Sequence, residues 1–175
     1  MKTYTIIGQP VRRVDGFEKA SGLIRYGVDM AAPGMLWART LRSPHPHARL
    51  LSIDTSQATA LPGVEAVVTA ADIRGTNRHG IERPDQPVLV PVGERVKMIG
   101  DPVAAVAART KEIAEEALKL IEAQYEPLPG VFSPQEALAP GAPQLHDDAP
   151  GNQVSEYSST RGDVAQGFAE ADAIV

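Results

Sequence analysis

The chain has 175 residues, 43% of them hydrophobic, with 22 acidic against 17 basic side chains and a net charge of -5. That length fits one domain with room for an extension, and the apolar fraction supports a core. Arg and Lys scattered among acids exclude the basic stripe of a nucleic-acid binder. The absence of cysteine excludes disulfides, thiolate zinc sites, iron–sulfur ligation and a cysteine nucleophile within this chain.

Residues 1–34 read as an extended lead-in, because Pro10, Gly16, Gly22, Pro33 and Gly34 interrupt any helix. Ile6-Ile7 and Leu23-Ile24 are short strands or packing arms within it. Leu36 to Arg42 is a strand bounded by Gly34 and Ser43-Pro44. Leu50 to Ile53 is a second. Asp54 or Thr55 then caps a short helix through Ala58, Ala60 and Leu61, which Pro62-Gly63 stops. The β-branched, alternating Val64 to Thr69 is the next strand. Strand, helix and strand at this spacing predict a helix packed on a sheet. Asp72 to Gln86 is a polar loop, and Pro87 to Pro91 is extended. Val96 to Ile99 leads into the turn Gly100-Asp101-Pro102.

Val103 to Ala108 is apolar on both faces and is predicted as a buried central strand. Thr110 caps the clearest helix, whose stripe is Ile113, Ala117, Leu120 and Ile121. Glu115 and Lys119 form an i,i+4 pair on its wet side. Ile121, Ala123 and Tyr125 alternate with acids and Gln124 as a strand, ended by Pro127 and Pro129. Pro134, Pro140, Pro143 and Pro150 mark a linker, and residues 134–175 are expected to be mobile. Asp163 caps a short helix carrying Val164, Phe168 and Ala169. Ala173-Ile174-Val175 reads as a strand start, which suggests the front part of a larger protein. No run approaches the ~18 apolar residues that span a bilayer. Met1 to Gly8 lacks the apolar core of a signal peptide, so a cytoplasmic location is expected.

The candidate chemistry is sparse. His45 and His47 flank Pro46 and could share a metal, but no third ligand is evident; a polar loop is the preferred reading. His79 and His146 read as solvated histidines. Gly100-Asp101-Pro102 lacks the glycine run of a phosphate loop and reads as a tight turn. Glu115 and Glu116 are a solvated face, because adjacent helical residues diverge. Arg161-Gly162-Asp163 reads as a turn and a helix cap. No serine sits in a nucleophile motif. Trp37 and Tyr125 read as core or interface residues. No catalytic, cofactor-binding or metal-binding residue is assigned.

The order of short segments is more specific than any site. Ile7-Gly8-Gln9-Pro10-Val11-Arg12-Arg13-Val14-Asp15, Glu18-Lys19-Ala20-Ser21-Gly22 and Tyr26 resemble the start of the molybdopterin-binding subunits of the xanthine dehydrogenase and aldehyde oxidase family. Ser43-Pro44-His45-Pro46-His47-Ala48-Arg49-Leu50 resembles the family's Ser-Pro-His-Ala-Arg segment, with an extra Pro-His. Leu61-Pro62-Gly63-Val64, Val96 to Val106, and Tyr125-Glu126-Pro127-Leu128-Pro129 follow in the family's order. Gly162-Asp163 with Phe168-Ala169-Glu170-Ala171-Asp172 resembles the entry to the next domain. Asp101 departs from the family's usual Gln, and the loop from Arg74 to Gln86 resembles nothing recognised.

The resemblance implies an α+β fold, the α/β-hammerhead, with a mixed sheet and two packed helices. The implied domains are a hammerhead over 1–133, a linker over 134–159, and the start of a molybdopterin-binding domain over 160–175. The implied parent hydroxylates an aldehyde, purine or N-heterocycle with oxygen from water. It would use molybdenum–molybdopterin, with iron–sulfur clusters and FAD in partner domains or subunits. This chain would be structural and inactive alone, packing on the pterin-binding domains of its own parent and on iron–sulfur or FAD subunits. The other readings are a stand-alone binding module of the same fold, and a metal site at His45 and His47. Nucleic acid and membrane are not expected partners.

Overall fold

The computed structural model describes residues 4–81 and 83–174, and the chain divides into two units, Met1–Leu36 and Trp37–Val175. In chain order the helices are α1 (Gly16–Ser21), α2 (Ser56–Ala60), α3 (Lys111–Lys119), α4 (Pro134–Leu138) and α5 (Val164–Ala169). The strands are β1 (Trp37–Arg42), β2 (Ala48–Asp54), β3 (Val64–Thr69), β4 (Arg78–His79), β5 (Gln86–Pro87), β6 (Arg95–Val96), β7 (Pro102–Ala108) and β8 (Glu122–Pro127).

Within the second unit, β7 is the centre of a three-stranded sheet of order β1-β7-β3. Its apolar run is buried on both faces, as the sequence predicts. Val103 points into a cluster with Ala48, Leu50, Val90 and Val96. Ala104 and Val106, on the opposite face, join Ala58, Ala117 and Ile121. Helices α2 and α3 cover that second face, and the small Ala104 and Ala108 let α3 approach closely. Thr110 caps α3 as expected, its hydroxyl accepting from the Ile113 N–H at 3.2 Å. For α2 the working oxygen is on Asp54, which accepts from the Ser56 N–H at 2.9 Å.

A second sheet has the order β6-β2-β8. The α+β hammerhead with two packed helices is the predicted class. The expected mixed sheet is instead a set of antiparallel pairings: β1 and β3 with β7, β6 and β8 with β2, and β4 with β5. The reason lies in the crossovers. A strand–helix–strand unit gives parallel pairing only when it returns to the same sheet. Here α2 carries the chain from the second sheet to the first, and α3 carries it back. Glu115 is exposed as expected, but its partners are Arg39 on β1 at 3.5 Å and Lys111 on its own helix at 3.8 Å rather than Lys119.

Residues 4–36 contain a helix that their glycines and prolines argued against. Gly16 is the first residue of α1 and Gly22 is its left-handed cap at φ 71°. Neither glycine lies in the helix interior, where it would be disruptive. The Leu23 N–H closes the end on the Glu18 carbonyl at 2.9 Å. Asp15 joins Lys19 and Arg13, each at 2.6 Å, and these partners hold its carboxyl below the ordinary 3.8. Ile6-Ile7 and Leu23-Ile24 form no strand, and none of residues 4–36 is buried.

The proline-rich stretch after Ser133 is also more structured than expected. Pro134 opens α4 at its first turn, where a missing N–H is harmless. The Ser133 hydroxyl accepts from the Glu136 N–H, and the Glu136 carboxylate accepts from the Phe132 N–H, both at 3.2 Å. Asn152 then ties the segment into a knot. Its Oδ1 accepts from Leu145 at 3.0 Å, and its Nδ2 donates to the carbonyls of Ala137 at 3.0 Å and Pro143 at 2.9 Å. It does so at φ 59°, a region asparagine tolerates better than most residues. Ala149 is buried within this stretch. Asn152→Ala should weaken the segment locally by about 1–3 kcal/mol. Amide exchange at Leu145 and Ala149 should accelerate at least about fivefold while the β-sheet amides hold; unchanged exchange would contradict the knot.

Residues 153–174 are exposed throughout, with Asp163 capping α5 as predicted, at 2.9 Å from the Gln166 N–H. Ala173 and Ile174 carry no strand, and Val175 lies outside the described residues, as do Met1 to Thr3 and Glu82. No helix among the described residues is long and apolar enough to cross a membrane.

Candidate functional site

The segment from Ser43 to His47 joins β1 of one sheet to β2 of the other, and local chemistry fixes its path. The Ser43 N–H donates to Asp101 at 2.8 Å, and Ser43 accepts from Gly100 at 2.9 Å, so the turn at Gly100 is sewn to this loop. The buried Ser43 hydroxyl accepts from the His45 N–H at 3.1 Å. Asp101 caps its own turn, accepting from the Lys97 N–H at 2.6 Å and the Met98 N–H at 3.2 Å. The carboxylate at the position that departs from the family pattern thus has a local structural role.

His47 lies in the predicted loop between two strands, and it is buried there. It is 4% exposed. Its Nδ1 lies 2.7 Å from the Pro129 carbonyl, and its own carbonyl accepts from the Leu128 N–H at 2.9 Å. A carbonyl only accepts, so Nδ1 carries the hydrogen. Nε2 is buried and has no partner among the described residues. His45 packs its ring against Tyr125 with centroids 5.1 Å apart. Burial pushes the Tyr125 phenol up from its ordinary 10.0, opposed by a hydrogen bond with Ser43. Two segments far apart in sequence, Ser43 to Leu50 and Tyr125 to Pro129, therefore form one structural unit.

Beside this unit an open cleft of about 750 Å³ is lined by His47, Arg49, Arg78, Arg95, Lys97 and Asp147, among others. Arg78 pairs with Glu94 at 3.0 Å. Arg49 donates to the Gly93 carbonyl at 2.9 Å and lies 3.7 Å from Glu126. Arg95 donates to Asp147 at 2.5 Å and to the Gln144 carbonyl at 3.1 Å. Lys97 Nζ is 3.4 Å from His146 Nδ1, which lies 3.5 Å from Asp85. His146 is thus half-buried among charges rather than free in solvent, whereas His79 is exposed on β4. The cations Arg49, Arg78, Arg95 and Lys97 suit the cleft to an anion.

Among the described residues, no three His, Asp or Glu side chains gather as a metal set. His45 and His47 do not converge: one ring packs at a tilt against Tyr125 and the other bonds Pro129.

The remaining surface feature is apolar. Val14, Val28, Phe17 and Ile6 are 103%, 91%, 76% and 72% exposed. Tyr157, Phe168 and Ile174 are exposed as well. Single exposed apolar residues are ordinary, but dense runs of them mark surfaces that meet another body. Trp37 is half-exposed, with Arg39 5.9 Å over its ring, so it is no core residue.

Comparison with known proteins gives consistent results. Residues 21–129 match the a/b hammerhead domain of aldehyde oxidase and xanthine dehydrogenase. The chain is 46% identical over 170 residues to a probable xanthine dehydrogenase subunit of Bacillus subtilis (strain 168), covering 97% of this chain and 22% of that protein. It is 40% identical over 174 residues to the nicotinate dehydrogenase large molybdopterin subunit of Eubacterium barkeri, covering 99% and 40%. The crystal structure of quinoline 2-oxidoreductase from Pseudomonas putida 86 superposes with a TM-score of 0.80 at 37% identity, covering 97% and 22%. The chain thus spans only a minor part of each relative's length.

Proposed function

The chain belongs to the aldehyde oxidase and xanthine dehydrogenase family, and on that premise we propose that it is the structural hammerhead piece of a molybdenum hydroxylase large subunit. The observation that carries this reading is the apolar surface of residues 4–36 and 153–174, which bury nothing of their own. A segment that exposes Ile6, Ile7, Val14 and Phe17 in water forgoes about 1.5–3 kcal/mol for each such side chain left unburied. Docking on further domains of a longer parent would recover it. The molybdopterin named for the Eubacterium barkeri relative would then sit in those further domains. Iron–sulfur and FAD groups would sit in partner domains or subunits. The reaction would be hydroxylation of an aldehyde, purine or N-heterocycle by water.

In this role the chain supplies shape and contacts, and the residues that act on substrate lie elsewhere in the parent. The purified chain, supplied with the parent's cofactor, should turn over no aldehyde, purine or N-heterocycle. Measurable turnover above the cofactor-only control would overturn the structural assignment.

A further inference from the structure

We propose that the cleft beside His47 is a docking groove for an acidic peptide segment, which would take the place that Asp147 now occupies on Arg95. That the occupant is a polypeptide rests on the docking role proposed above. The geometry supplies the rest. Arg49, Arg78, Arg95 and Lys97 line the cleft against Glu94 and Asp147, a basic excess in a chain of net charge -5. Positive charge gathered in a concave site attracts anionic partners and sets their register.

Arg95 shows what the groove reads. Its guanidinium holds the Asp147 carboxylate at 2.5 Å and the Gln144 backbone carbonyl at 3.1 Å, which are a side-chain acid and a main-chain acceptor on one stretch of peptide. The fork of an arginine suits that double contact. Yet the two partners are held very differently. The Arg95 side chain is 22% exposed, whereas Asp147 is 88% exposed. An ion pair with one fully wetted member adds little net stability, so Asp147 is a replaceable occupant. The wall that carries it stays in place without it, because Asn152 fastens Leu145, Pro143 and Ala137 independently. Lys97 has no carboxylate within salt-bridge distance among the described residues, and arginine's five donors leave Arg49 and Arg78 free N–H groups along the same cleft.

A fluorescein-labelled hexaglutamate peptide titrated into the purified 175-residue chain tests this, read by anisotropy at about 50 mM salt. Binding should be saturable and should weaken as salt rises, since exposed charges are screened beyond about 10 Å at 0.1 M. Asp147→Asn should tighten it about threefold by removing the competing carboxylate, and Arg95→Gln should weaken it about tenfold; a tenfold change corresponds to about 1.4 kcal/mol. Hexalysine should not bind. The proposal is overturned if hexaglutamate fails to bind the correctly folded Asp147→Asn chain, or if neither substitution changes its affinity. It is also overturned if inorganic pyrophosphate displaces the peptide at equal concentration, which would make the cleft a small-oxyanion site. Failure here with residues 4–36 still protected in the parent would remove the groove and leave the docking role standing.

Discussion

Leu50→Ala should lower the stability of the chain by about 3–4 kcal/mol, in the range of a fully buried leucine cut to alanine. Leu50 is 0% exposed on the middle strand of the β6-β2-β8 sheet. It packs with Ala48, Val90, Val96 and Val103, which places it where the two sheets share a core. Its backbone is equally committed. Leu50 lies opposite Tyr125 on β8, and its own N–H and carbonyl face the other side of the strand, towards the turn before β6. Its N–H donates to Glu94 at 2.9 Å, and its carbonyl accepts from Gly93 at 2.7 Å. A site pinned on three strands collapses poorly around a cavity, which favours the upper part of the range. Urea unfolding should show a lower midpoint with an unchanged slope. A loss under about 1 kcal/mol would mean that the core is not centred here.

Gly63→Val should cost about 3 kcal/mol, through two separable effects. Gly63 has φ +92°, a left-handed conformation that a β-branched residue adopts only under strain. A Cβ built there would also lie 2.7 Å from the Cδ1 of Ile113 on α3. The turn cannot simply relax, because the Gly63 carbonyl accepts from the Arg109 N–H at 2.9 Å and so joins α2's exit to α3's entry. A double-mutant cycle separates the terms. Ile113→Val removes the clashing Cδ1, so in that background Gly63→Ala should lose its steric part and keep its backbone part. Equal costs in both backgrounds would show that the clash contributes nothing.

Much of the fold was legible because local pattern and tertiary role agree. Strand β3 follows the β-branched alternation of Val64 to Thr69, and β7 follows the unbroken apolar run. Helix α3 declares its stripe and its Thr110 cap. The failures have definable causes. Gly16 and Pro134 look like interruptions, but each sits at the start of a helix, where it does no harm. The spacing Ser133-Pro134-Gln135-Glu136 carries the helix-start signature of serine followed three residues later by glutamate, and that signal would have found α4. The separation of β2 and β3 into different sheets had no local sign, since pairing partners lie far along the chain. The same holds for the candidate site. The loop at His47 was legible, but its burial was not, because it depends on a meeting with Leu128 and Pro129 far along the chain. Arg95 and Lys97 are close in sequence, but Arg49 and Arg78 join them only when β2, β4 and β6 come together.

In the proposed role, the apolar segments 4–36 and 153–174 dock on the rest of a larger parent. Hydroxyl-radical footprinting of Ile6, Phe17, Tyr26, Tyr157 and Phe168, in the 175-residue chain and in a full-length parent, tests it most directly. All five are exposed in the chain. They should react readily there and become protected in the parent, while residues already buried, such as Leu50, stay protected in both. Equal reactivity of those five side chains in both proteins would contradict the account.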